Sequence, residues 1–300
     1  MTVEQYLQRL RALGSDKRKP TPRTVRAFQT LVLGFYREHR RTFAWRRTRD
    51  PYRILVSEIM LQQTQTVRVA ERFGAFIQQF PTVRELARAP QSEVIRAWQG
   101  LGYYRRARNL HRAAIAICEH HGGKVPRNPA DLKALPGVGA YTAAAVAAFA
   151  FNTPVPMIET NIRSVYLFAF CRGRRAVSDK ELLALVAQTI PTGATQHALP
   201  VHGRIWFYAL MDLGVELKRL RAGINHASKH HARQSPFKGS DREVAAQVLK
   251  LIVSRKRPTA ESELCETLSA APAMITKAVN RLVKDSLIKR LKSGRLSPLC

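Results

Sequence analysis

Leu135-Pro136-Gly137-Val138-Gly139 runs directly into the alanine-rich stretch Tyr141-Thr142-Ala143-Ala144-Ala145-Val146-Ala147-Ala148. Two glycines allow a tight turn and let a bulky anion come close to the backbone. The helix that begins at Tyr141 then offers its free N–H groups and positive dipole end to that anion. A Gly-x-Gly is most often no more than a turn. Here it sits between a short helix, Pro129–Ala134, and the alanine-rich one, in a strongly basic chain. In that setting it reads as a hairpin that holds a phosphate backbone without reading sequence.

Working outward, apolar residues recur at helical spacing almost everywhere. Val25, Phe28, Leu31, Val32 and Phe35 mark a helix from Thr24 to about Arg40. Asp50-Pro51 is a helix start, a side-chain cap followed by a preset φ angle, and opens a helix through Ile54, Leu55, Ile59, Met60 and Leu61. Further helices are expected at Val67–Gln79, Thr82–Ala89, Gln91–Trp98, Arg105–His120, Tyr141–Phe151, Asn161–Phe170, Asp179–Thr189 and Val201–Leu213. Period-2 alternation is nearly absent before residue 285, so the class is all-α.

The composition also divides the chain. Residues 1–22 form a basic N-terminal tail, expected to be mobile or a loosely docked helix. A large domain spans 23–234, and residues 235–240, in the run Gln234–Ser240, form a linker. Residues 241–300 read as a small module with helices Asp241–Ser254, Ala260–Leu268 and Pro272–Lys284 and a basic pair of strands around Ile288–Leu296. That is the layout of a winged helix; a helical oligomerisation or docking module is the other reading.

Fifty Lys and Arg against 21 Asp and Glu give a formal charge of +29 and point to a polyanionic partner. Nucleic acid leads, ahead of acidic membranes or acidic proteins. No apolar run approaches the roughly 20 residues of a membrane span, and no basic-then-apolar leader opens the chain. A cytoplasmic or nucleoid-associated monomer is expected. Cys118, Cys171, Cys265 and Cys300 have no Cys-x-x-Cys spacing, so neither disulfides nor a cysteine-held metal are expected.

Two carboxylates stand out. Glu58 lies in Ile54-Leu55-Val56-Ser57-Glu58-Ile59-Met60-Leu61, apolar on most faces. Burial there would favour the protonated form that an acid catalyst needs; an exposed polar stripe is the bland alternative. The uncharged cluster Gln62-Gln63-Thr64-Gln65 follows it and suits base edges or a vacated stack. Glu159 comes 20 residues after the hairpin, in Pro156-Met157-Ile158-Glu159-Thr160-Asn161. An acid near a leaving base and a carboxylate beside a sugar suit glycosidic bond cleavage through an oxocarbenium-like state. A solvated, structural Glu159 is the alternative.

The motifs Ser57-Glu58-Ile59-Met60-Leu61-Gln62-Gln63-Thr64, Gly100-Leu101-Gly102-Tyr103-Tyr104 and Ala107-Arg108-Asn109-Leu110-His111 closely resemble those of the MutY-type adenine glycosylases of the helix-hairpin-helix superfamily. Trp45-Arg46, Asp50-Pro51-Tyr52, the hairpin and Ala209-Leu210-Met211-Asp212-Leu213-Gly214 extend the resemblance over about residues 24–235. It implies a two-lobed helical fold that flips a base out of duplex DNA and hydrolyses its N-glycosidic bond. Glu58 would protonate the departing adenine, while Glu159, Tyr141 and Asn161 would support the sugar. Gln63, Thr64, Tyr103, Tyr104, Arg108 and the hairpin residues Gly137, Val138 and Gly139 would contact DNA, with Gln63 and one of the tyrosines wedging into the stack. Trp45, Arg46 and Leu61 would line the base pocket. A tyrosine at 141, where related lyases carry a Schiff-base lysine, implies no strand cleavage.

Three departures from the family pattern shape the expectation. Glu159 stands where the family has aspartate; one methylene moves a carboxylate by about 1 Å, and such a shift costs roughly 100-fold in rate unless the pocket has adapted. The four cluster cysteines fall on Lys218, Asn225, Ser228 and Gln234, so no iron–sulfur cluster is expected. A monovalent cation at the hairpin stays open as an expectation, and a histidine metal site on the former cluster loop is the lesser reading beside surface histidines. The segment Lys218–Lys238 keeps six basic residues plus His226, His230 and His231, read as a loop that still touches phosphate. No MutT-like domain is expected, and the C-terminal module stands in its place. Adenine leads as the excised base; a thymine or uracil mismatch glycosylase and a catalytically impaired lesion-binding protein are the alternatives.

Overall fold

The computed structural model describes residues 1–13, 20–191, 203–229, 237–255 and 257–299. Its elements, in chain order, are α1 (Val3–Ala12), α2 (Pro22–His39), α3 (Pro51–Leu61), α4 (Thr66–Gln79), α5 (Val83–Arg88), α6 (Gln91–Ala97), α7 (Arg105–His120), α8 (Pro129–Ala134) and α9 (Ala140–Phe151). They continue with α10 (Thr160–Phe170), α11 (Asp179–Thr189), α12 (Gly203–Leu220), α13 (Asp241–Ser254), α14 (Glu261–Thr267), α15 (Pro272–Lys284), β1 (Ile288–Arg290) and β2 (Leu296–Pro298). The fold is all-α, apart from the short two-stranded sheet. No helix among the described residues is long and apolar enough to cross a membrane.

Local chemistry sets the helix boundaries. Asp50 accepts from the Tyr52 and Arg53 amides at 2.8 and 3.3 Å, and Pro51 supplies the first φ, so α3 starts as expected. Ser178 and Glu181 close a reciprocal cap on α11. Asn152 ends α9 in the left-handed region, which asparagine tolerates better than most residues. Val201, the expected start of a helix, lies outside the described residues; α12 spans Gly203–Leu220 and so runs seven residues beyond Leu213.

The chain forms two compact units. The first comprises residues 1–54, 127–133 and 139–233 and holds α1, α2 and α9–α12. An aromatic cluster centres it: the Phe28 ring lies 5.0 Å from Phe170, 5.5 Å from Tyr166 and 5.8 Å from Trp206. The N-terminal segment is more firmly held than its charge suggested. Tyr6, Leu7 and Leu10 fall on one face of α1 and are buried, and the Tyr6 hydroxyl donates to Glu38 at 2.8 Å. Three apolar side chains at helical spacing outweigh the scattered basic charge around them.

The second unit comprises residues 55–126, 134–138 and 234–300, and holds α4–α7, the hairpin turn and the C-terminal elements. Phe76 packs between Phe80 and Trp98, at 5.0 and 5.7 Å. The C-terminal elements gather a core of Val248, Leu249, Ile252, Leu264, Ile275 and Val279, and Ile95 of α6 belongs to that same core. β1 and β2 pair antiparallel with Ile288 opposite Pro298, and Thr259 adds a bridge to Leu296. Helix, helix, helix and hairpin thus follow in the expected order. The first part of the 235–240 linker lies outside the described residues.

Candidate functional site

In the second unit, α3 carries the first carboxyl. Ile54, Leu55, Val56, Ile59 and Met60 are all at most 1% exposed, and Glu58 beside them is only 4% exposed. No solvent-facing stripe exists at that position. Where α3 ends, the chain makes an abrupt turn through Gln63, whose φ of +55° lies in the left-handed region. A second turn, Gly100 to Tyr104, has φ of +92° at Gly100, +68° at Gly102 and +48° at Tyr103. Glycine adopts such angles freely; glutamine and tyrosine do so at a cost of about 1–3 kcal/mol. The left-handed side-chain-bearing residues of the two turns are Gln63 and Tyr103; the sequence suggests insertion for Gln63 and for one of the pair Tyr103 and Tyr104. Gln63 is exposed, while Thr64, Tyr103, Tyr104 and Leu61 are half-buried.

One buried cation fastens both turns. Arg106 donates through Nη1 to the carbonyls of Ile59 at 3.0 Å and Met60 at 2.7 Å, and also to the Gln62 carbonyl. Through Nη2 it reaches the Thr64 hydroxyl at 2.9 Å and the carbonyls of Leu101 and Gly102 at 3.1 and 3.0 Å. It therefore satisfies carbonyls at the end of α3, which have no intrahelical partner. Burial lowers its pKa to about 10, which leaves it charged at neutral pH. The Thr64 hydroxyl lies 3.3 Å from the Leu101 carbonyl, tying one turn to the other. Sequence reading passed over Arg106, although a signal was present: it precedes Leu110 by four residues and Ala113 by seven, on the buried stripe of α7.

The hairpin belongs partly to this unit. Gly137 has φ +78°, and a Cβ there would lie 2.7 Å from the Asn109 Cβ. Both conformation and space demand glycine. Gln62 Nε2 approaches the Gly137 carbonyl at 3.4 Å. Val138 is buried, whereas Gly137 and Gly139 are exposed, so any contact made from outside falls on the backbone of this turn. Arg108 is engaged by the protein itself: it donates to the Asp285 carbonyl and, at 3.0 Å, to Asn109 Oδ1.

In the first unit, Glu159 caps α10. Its Oε2 accepts from the Asn161 amide at 2.8 Å and from Asn161 Nδ2 at 3.0 Å, and its Oε1 accepts from the Ile162 amide at 2.8 Å. Burial pushes its pKa upward, and the amides of Asn161 and Ile162 pull the other way. This carboxylate is half-buried and fixed by three hydrogen bonds. Tyr141 stands half-buried in the first turn of α9.

Trp45 stacks on Phe43 with parallel rings 4.8 Å apart. Arg46 forms a forked ion pair with Asp212, at 2.8 and 2.9 Å, and lies 4.4 Å from the centre of the Tyr208 ring. Asp212, 1% exposed, also accepts from the Arg41 amide and Nε at 3.0 and 2.7 Å. Sequence reading noted Asp212 only as part of a motif and missed its role as partner of two arginines.

The described residues at the positions of the cluster cysteines offer no thiolate. Lys218 is an amine at the end of α12, and Asn225 Oδ1 accepts from the Ser164 hydroxyl at 3.1 Å. Ser228 is buried where the backbone bridges to Val177. Gln234, His230 and His231 lie outside the described residues. Among the described residues no group of three or more His, Cys, Asp or Glu side chains could hold a metal ion.

Comparison with known proteins agrees with this geometry. The family model for HhH-GPD superfamily base excision DNA repair proteins matches residues 56–191. An adenine DNA glycosylase of Mycolicibacterium smegmatis is 34% identical over 282 residues, covering 89% of this chain and 94% of its own. The human adenine DNA glycosylase is 37% identical over 199 residues, covering 63% of this chain and 36% of its own. Among solved structures, a thermostable thymine-DNA glycosylase superposes with a TM-score of 0.57 at 28% identity, over 68% of this chain and 95% of that one.

Proposed function

Because this chain belongs to the HhH-GPD superfamily of base excision DNA repair proteins, among the adenine DNA glycosylases, we propose that it excises adenine from mispaired duplex DNA. The reaction hydrolyses the N-glycosidic bond and leaves the strand intact. Glu58 gives a proton to the departing base, and the C1′–N bond breaks with its electron pair leaving on that base. Glu159, held by Asn161 and the start of α10, faces the sugar cation with negative charge. Water then adds at C1′ and gives its proton to the Glu58 carboxylate, which restores the acid. Tyr141 supports the sugar and, lacking an amine, forms no Schiff base. Gln63 and Tyr103 fill the stack that the flipped base vacates, and the hairpin backbone at Gly137–Gly139 holds phosphate. Trp45 and Leu61 border the base.

One observation carries the reading: Glu58 is a buried carboxyl on a largely apolar helix that leads into the strained turn at Gln63, which Arg106 fastens to the Gly100–Tyr104 turn. A packing role alone would be filled at lower cost by an apolar side chain. The enzyme works without an iron–sulfur cluster, on the ground of Lys218, Asn225 and Ser228. The enzyme acts on lesion-bearing duplex DNA, in the cytoplasm or nucleoid. The domain from 23 to 234 carries the chemistry, and residues 241–300 add a module to it.

The likeness to a thymine-DNA glycosylase over 95% of that chain favours thymine or uracil opposite guanine as the second reading. A single-turnover assay separates the two, with protein in excess over duplexes carrying A opposite 8-oxoguanine, A opposite G, T opposite G and U opposite G. Alkali-labile product from the adenine duplexes, lost in Glu58→Gln, is the expected result. Product from T or U alone moves the assignment to mismatched pyrimidines, and no product from any duplex overturns the glycosylase reading.

A further inference from the structure

Tyr103 is held from a distant part of the chain. Arg242, in the first turn of α13, donates through Nη1 to the Tyr103 hydroxyl at 2.7 Å, and its guanidinium lies 6.0 Å from the ring centre. Arg106 faces the same ring at 5.5 Å. The neighbouring Tyr104 packs against the C-terminal core, and Ile95 is part of that core. Around them, Gln91 Nε2 donates to the Ser286 carbonyl at 2.9 Å, and Arg105 pairs with Asp285 at 3.5 Å. The Gly100–Tyr104 turn is thus buttressed by residues 242–286.

The strain at Tyr103 needs an offset. A left-handed tyrosine is strained, and a hydrogen bond from a charged donor is among the stronger contacts that can offset such strain. We propose that Arg242 is a positioning residue for Tyr103, through which the C-terminal module presents the wedging ring to DNA in its inserting conformation. The inference rests on the reading of Tyr103 as a wedge. It gives the C-terminal module a part in lesion engagement that does not require the module to read the lesion itself.

A rival role for Arg242 is a plain phosphate contact, and a double-mutant cycle separates the two. The duplex carries 2-aminopurine beside an adenine opposite 8-oxoguanine. Its fluorescence rise reports unstacking as protein is added, alongside the release of adenine. Arg242→Ala and Tyr103→Phe are each expected to raise the half-saturating concentration about tenfold, the equivalent of 1.4 kcal/mol. The double variant should stay near tenfold, because both changes delete one hydrogen bond. Arg242→Lys, with charge and one donor retained, should recover part of the loss, and Arg242→Gln serves if the alanine variant does not fold. A roughly hundredfold effect in the double variant, or no effect of Arg242→Ala, overturns the proposal. So does a wild-type protein that leaves the probe stacked. Unstacking without adenine release would instead sink the excision reading while leaving this one standing.

Discussion

The guanidinium of Arg106 lies 2.9 Å from the hydroxyl of Thr64, and the same group reaches the Leu101 carbonyl at 3.1 Å. Two turns separated by almost 40 residues are therefore fixed to one cation. Removing it leaves several buried carbonyls without a donor, each at a cost of about 1–3 kcal/mol. Arg106→Ala should lower the midpoint of denaturant unfolding by the equivalent of roughly 3 kcal/mol or more and abolish lesion binding. Arg106→Lys should fall between, since an ammonium cannot reproduce the planar fork. An unfolding midpoint unchanged in the alanine variant would refute this account of the two turns.

Glu159 makes a contrasting prediction about charge and length. The amides of Asn161 and Ile162 that hold its carboxylate are the second and third of α10, where an aspartate at the cap would also bond. The longer side chain has folded back to the same donors. Glu159→Asp should therefore retain the single-turnover rate within about threefold, against the roughly 100-fold loss that a displacement near 1 Å brings. Glu159→Gln keeps the size and loses the charge, and should fall by about 100-fold, the scale of one lost electrostatic partner of the transition state.

The pH profile tests the same residue. Burial holds its pKa above the ordinary carboxylate range. In the proposed reaction protonation removes the charge offered to the sugar, so the rate should climb with pH through that raised value. The acid limb should accordingly lie at higher pH than an ordinary carboxyl would place it. A single-turnover rate flat across the carboxylate range would detach Glu159 from the reaction.

Much of this was legible in the chain. The helix ladder, the Asp50-Pro51 start and the need for glycine at 137 all follow from local rules, because capping, φ preference and helical spacing act within a few residues. The burial of Glu58 followed from the apolar side chains around it. Contacts across long separations were not legible. The bonds of Arg106 to Met60, of Asp212 to Arg41 and of Arg242 to Tyr103 join positions 46, 171 and 139 residues apart. Such arginines look like any others in a chain of +29. Glu159 was half-legible: the residue type raised doubt, and the cap that answers it is a matter of three-dimensional reach.

Asp212 anchors Arg41 and Arg46 in the first unit. It accepts four bonds from Arg41 and Arg46, and its carboxylate is 1% exposed. Loss of one partner from a buried ion pair costs about 3–5 kcal/mol, because the remaining charge is left without compensation. Asp212→Ala should destabilise on that scale, with Asp212→Asn intermediate. Chemical denaturation monitored by tryptophan fluorescence reads it directly, since Trp45 adjoins Arg46. A change under about 1 kcal/mol, the range of an exposed pair, would place the contact at the surface instead.

Gly214 offers the sharpest test of packing against propensity. It lies within α12, where alanine is normally favoured over glycine by about 1 kcal/mol. Propensity alone thus predicts a more stable Gly214→Ala. A Cβ at this position, however, would overlap the backbone carbonyl of Asn161, at the start of α10. Backbone cannot rotate aside as a side chain can, so the two helices must part, and overpacking of this kind costs typically 1–3 kcal/mol. The clash outweighs the propensity gain. Gly214→Ala should therefore melt a few degrees below the wild type. Because Asn161 donates to Glu159, the displacement should also reach the carboxylate, with a fall in single-turnover rate of about tenfold or more. A variant that melts higher with its rate intact would mean that α10 and α12 are not held at the separation described.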